Sequence, residues 1–134
     1  MPEPLAADEL RRLRIVSIGM LLGVILFLGI ASLMQQALKP PPLPIVSWFA
    51  VGFALLSPVI AASVDRARPS PATVRPGGPS PAFSRHLVAF ATLEAAGILC
   101  AAAAMVSASV APFAAAAVPV GAMLLRFPRA SNAS

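Results

Sequence analysis

Side chains that could do chemistry are scarce in this chain of 134 residues. The acids are Glu3, Asp8, Glu9, Asp65 and Glu94; there is one histidine, His86, and one cysteine, Cys100. A lone cysteine forms no internal disulfide and no CxxC redox pair. With one histidine beside it, the chain falls short of the three or four His/Cys ligands of a zinc site. Paired-carboxylate catalysis needs two acids in one site, and only Glu94 lies inside an apolar run. Neither GxxxxGK[ST] nor GxGxxG occurs. The residues predict no catalytic site, no metal and no cofactor.

Glu94 is the exception to a plain apolar interior. An acid in hydrocarbon costs several kcal/mol. It must be protonated, paired or turned to a wet cavity. Glu94 lies eight residues after His86, about 12 Å along a helix at 1.5 Å per residue. The same count places Gly23, Ser57-Pro58 and Pro119 at its level. Prolines there remove an amide donor and free the carbonyls of Ala54 and Ala115. Glu94 and Ser57 are therefore the candidate ion-binding residues, with a protonated Glu94 donating to a freed group.

The elements that must hold this acid follow from composition. The chain is 58% hydrophobic and only 11% charged, with mean hydropathy +0.85. A soluble domain carries about a quarter charged residues, so a soluble home is excluded. The length suffices for four spans of about 20 residues. Apolar runs place them at about 15–38, 44–64, 86–106 and 109–127. The predicted fold is all-α, a single integral membrane four-helix bundle. Residues 1–14 read as a polar extension of span one. Residues 65–85, rich in Pro and Arg, read as an exposed loop, and 128–134 as a tail.

Within the spans, Pro58, Pro112 and Pro119 predict kinks. Gly19 and Gly23 form a GxxxG, and Gly97 and Ala101 a small-xxx-small pair; both predict close helix packing. His86 reads as an interfacial cap, Cys100 as inert packing, and Gln35 and Gln36 as the end of span one. Arg11, Arg12, Arg14, Arg66, Arg68, Arg75, Arg85, Arg126 and Arg129 gather on one side, against Lys39 alone on the other. The positive-inside rule then places both termini and the long loop in the cytoplasm. The net charge of +5 is thus explained by arginines at a membrane surface rather than by nucleic acid.

The stretch Ala91-Thr92-Leu93-Glu94-Ala95-Ala96-Gly97-Ile98 resembles the carboxylate helix of the rotary ATPase proteolipid (c) subunit. A loop with Arg66, Arg68 and Pro69 precedes it, similar to the polar loop of that family's hairpin. The resemblance implies that Glu94 is a proton-binding carboxylate. It covers about one helix of four, and span two carries only Gly52 where that family has alternating glycines. The whole chain looks like uncharacterised small four-span bacterial membrane proteins, with an A-x-x-E-A segment in span three and a short basic tail, here Phe127-Pro128-Arg129.

Two functions are expected. The first is a non-catalytic accessory or assembly subunit of a larger membrane complex, or a small homo-oligomer, in the bacterial cytoplasmic membrane. Its partners would be the bilayer and a membrane protein. The alternative is a proton- or cation-coupled carrier, or a proteolipid-like element, working through Glu94.

Overall fold

Proline and capping residues set where each helix begins. In the computed structural model, which describes residues 5–67 and 76–129, the helices are α1 (Ala7–Leu38), α2 (Pro44–Arg66), α3 (Pro81–Val106) and α4 (Ala111–Leu125). Pro44, Pro81 and Pro112 all stand in first turns, where a missing N–H costs nothing. Pro112, expected as a kink, therefore opens α4. Pro58 and Pro119 do lie inside α2 and α4, and both helices continue through them.

The polar segment before Ile15 extends span one, as expected, in one continuous helix with Asp8 and Glu9 in its first turn, where acids suit the positive helix end. The starts of the last two helices move from those expected. α3 starts at Pro81 rather than His86, because the Ser80 hydroxyl accepts the Phe83 amide at 3.2 Å and caps it. α4 has 15 residues, about 22 Å at 1.5 Å per residue. The other three helices are long and apolar enough to cross a membrane.

The helices run up, down, up, down. α1 and α3 are parallel and in register. Glu9 bonds Ser80 at one end and Gln35 bonds Ala104 and Ser107 at the other, at sequence separations of 71, 69 and 72. α3 is the centre and packs on all three other helices. α1 and α2 flank it, and among the described residues their backbones do not approach each other. The connector explains this. Lys39, in the left-handed region at φ 45°, donates its N–H to Gln35 and ends α1. Pro40, Pro41 and Pro42 then force extended chain at about 3.1 Å per residue. Residues 40–43 at that rise reach about 12 Å, farther than the 8–10 Å between packed helices.

The interior is small and the exterior large. Ala50, Ala54, Ala61, Ala89, Ala96, Ala101, Ala103, Ala104 and Ala116 are buried, while Ile18, Leu22, Leu26, Phe27, Ile45, Phe49, Leu55 and Val59 are exposed. This distribution suits lipid, where helices gain by close packing and large apolar side chains need no shelter. At Gly97 α1 and α3 approach closely. A Cβ there would lie 2.6 Å from Val24 Cγ1, and Val24 is buried and stiff at χ1.

Candidate functional site

Glu94 lies near the middle of α3, about 20 Å from its first residue and 18 Å from its last at 1.5 Å per residue. Earlier capping by Ser80 thus puts the acid farther from the start of its helix than a start at His86 implied. Its helix neighbours divide sharply. Phe90, Leu93 and Gly97 are buried against the bundle, whereas Val88, Ala91 and Ala95 are exposed. The half-buried carboxylate stands on this border.

Across the seam is Gly23, at the middle of α1. A Cβ built on Gly23 would meet Glu94 Oε1 at 3.7 Å, an ordinary contact. The acid therefore lies over the glycine, with α1 backbone as its wall. Gly19, one turn away on α1, is exposed with nothing within 4 Å of its would-be Cβ. The GxxxG pair thus makes no seam inside this bundle. Gly97 and the buried Ala101 do face α1, Gly97 against Val24 and Ala101 beside Ala31.

Ser57 does not join Glu94. Its hydroxyl donates to the Ala54 carbonyl at 2.7 Å, the group that Pro58 leaves without a donor. The bond satisfies a buried acceptor within α2 itself. The two ion pairs among the described residues, Arg12 with Asp8 and Arg126 with Asp65, involve no residue of α3. Glu94 makes no hydrogen bond within this set. No group of three His, Cys, Asp or Glu that could hold a metal gathers among the described residues.

Polar ties that the spacing did not reveal lie at both ends. At the arginine-rich end the Glu9 carboxylate accepts the Ser80 N–H at 2.7 Å and the Ser80 hydroxyl at 2.8 Å. Those two bonds, the backbone one first, hold the Glu9 carboxyl below the usual range. Asp65 pairs with Arg126, His86 Nε2 meets the Arg126 carbonyl at 3.1 Å, and Arg14 donates to the Pro128 carbonyl at 3.0 Å. Arg85 donates to the Ala67 carbonyl at 3.3 Å, while Arg11 and Arg66 are exposed. Arg68 and Arg75 lie outside the described residues.

At the opposite end Gln35 does more than end span one. Its Nε2 donates to the carbonyls of Ala104, Ser107 and Ser109 at 3.1, 2.8 and 3.1 Å. The Ser47 and Ser107 hydroxyls bond at 2.9 Å, and Cys100, buried as expected for packing, reaches the Ala50 carbonyl at 3.7 Å. One buried hydroxyl, Ser17 Oγ on the α3-facing side of α1, has no partner among the described residues. Comparison of the chain with known protein families, curated proteins and solved structures gives no match.

Proposed function

We propose that this small membrane protein is a non-catalytic accessory or assembly subunit of a larger membrane complex. The observation that carries this reading is Glu94: a mid-helix carboxylate without a hydrogen bond or ion pair among the described residues, at the edge of an outward face. An acid at such depth persists only where something offsets its cost. Its own spans hold no lysine or arginine apart from Arg126, which pairs with Asp65, and the Ser57 hydroxyl donates within α2. A site left open sideways is completed by another chain. α1 adds support, since only 17% of its apolar window is buried in the bundle.

Under the positive-inside rule the arginine-rich end faces the cytoplasm of a bacterium, with Arg11 and Arg66 at anionic headgroups. A second reading, a proton- or cation-coupled carrier or a proteolipid-like element, is favoured by one fact: the same carboxylate is accessible from the side of the bundle. Native mass spectrometry of the tagged protein, gently extracted from its own membrane, tests between them. The accessory reading expects foreign membrane subunits in fixed stoichiometry. A chain that is alone and moves protons in vesicles, with flux abolished in Glu94→Gln, would replace it with the carrier.

A further inference from the structure

We infer that the face of α3 around Glu94 receives a transmembrane helix of a different protein, one that carries a lysine or arginine near its midpoint. This deepens the accessory reading and rests on it.

Shape comes first. Ala91 and Ala95 are exposed on either side of Glu94 along α3, and Gly23 and Gly19 line the adjacent edge of α1. Small residues at such a face let two backbones come close, so that contacts and polar bonds form between them. Ala91 and Ala95 stay exposed although α3 packs on all three other helices, and among the described residues the backbones of α1 and α2 do not meet.

Charge selects the occupant. Intramembrane acids pair with other polar groups or face a cavity. Apart from Arg126 near the end of span four, which pairs with Asp65, the four spans hold no lysine or arginine. The nearest basic residue along α1 is Arg14, about 13 Å from Gly23 at 1.5 Å per residue, and it is bonded to the Pro128 carbonyl. Lys39 is about 24 Å away by the same measure. A second copy of this chain would bring another Glu94 to the face and no cation, and two like charges at that depth disfavour each other. A lipid headgroup does not reach the middle of a span. A foreign helix with a central basic side chain supplies both the surface and the charge.

A defined probe tests this on the full chain in phosphatidylcholine vesicles. The probe is a 24-residue Leu/Ala transmembrane peptide with one central lysine; its control has leucine there. Association is read by energy transfer to an acceptor at the protein's C-terminus. The lysine peptide is expected to bind the wild type at least tenfold more tightly than Glu94→Gln, and the leucine peptide to distinguish neither. Ala91→Phe and Ala95→Phe, which keep the acid but fill the face, are expected to weaken the lysine peptide as well. Equal binding to wild type and Glu94→Gln overturns the inference, as does unchanged binding to both filled variants. Self-association of the wild type lost in Glu94→Gln would assign the face to a second copy instead. If foreign subunits copurify but the lysine peptide fails, only this inference falls. If no subunit copurifies but the peptide binds, the accessory reading falls and the recognition chemistry stands.

Discussion

The two ends of the bundle fasten the same helices with opposite chemistry. At the arginine-rich end an acid on α1, Glu9, binds the start of α3 through the Ser80 N–H and hydroxyl. At the other end an amide on α1, Gln35, binds the finish of α3 through three carbonyls. The polarity of α3 dictates the difference. A helix start exposes N–H groups and a partial positive charge, which a carboxylate satisfies; a helix finish exposes carbonyls, which need a donor. Because α1 runs parallel to α3, one helix had to carry an acid first and a donor last. The further ties follow suit: Asp65 with Arg126 at the first end, Ser47 with Ser107 at the second. One end should therefore answer to pH and salt, and the other to neither.

Gln35→Leu is the strongest way to break this comparison. It removes the one side chain that, among the described residues, donates to the carbonyls of Ala104, Ser107 and Ser109, while preserving apolar bulk. A half-buried acceptor left without its donor costs about 1–3 kcal/mol. We expect about 2 kcal/mol of lost stability in mixed micelles, the same at pH 5 and pH 8 and at low and high salt. A loss that tracked salt would show that this end is not fastened by neutral bonds alone.

The sequence made parts of this architecture legible and hid others. Hydropathy marked four helices because lipid-facing surfaces need long apolar runs, and such runs survive any detail of packing. The meeting of Gly23 and Glu94 was anticipated by depth, since parallel helices starting at one end keep level. Face was not legible. Ser57 shared the level but turned its hydroxyl onto its own helix, because Pro58 had freed a carbonyl one turn away. Gly19 obeyed the GxxxG spacing yet faced outward, since spacing gives a stripe without saying which neighbour it meets. Gln35 and Ala104 are 69 residues apart, and no local pattern links a side-chain amide to a distant helix end. Pro112 read as a break because the start of α4 was placed two residues too early.

Asp65→Asn sharpens the comparison from the charged end. The substitution keeps the shape of the Arg126 partner and removes its charge. The pair is about one-quarter to one-third exposed, so water and ions screen it, and such pairs contribute about 0–1 kcal/mol. We expect a loss of about 1 kcal/mol at low salt that shrinks when the ionic strength of the micelle solution is raised to about 1 M, where screening acts within ~3 Å. Gln35→Leu, measured alongside, should show no such convergence. An Asp65→Asn penalty independent of salt would mean that the contact holds α2 and the end of α4 by shape rather than by charge.

The smallest effect is the most diagnostic, because it depends on the sign of a proton equilibrium. The Ser80 N–H and hydroxyl hold the Glu9 carboxyl below its usual range in the folded chain. An acid depressed on folding contributes stability in full above its unfolded value, about 4.3 for glutamate. That contribution is lost as pH falls through the lower folded value, where the folded state must also take up the proton. Glu9 is half-buried at the water-facing end of α1, where screening holds its share to a few tenths of a kcal/mol, about the range of charge-assisted contacts near a surface. Glu9→Gln, which cannot titrate, should therefore be slightly less stable than the wild type at pH 7. The gap should close as the pH falls below the unfolded value of about 4.3. Unfolding curves of the two proteins, taken in parallel across that range, give the difference directly with other titrating acids cancelled. A gap that widened on acidification would mean that Ser80 favours the protonated acid, reversing the assignment of an ionised carboxylate to the start of α3.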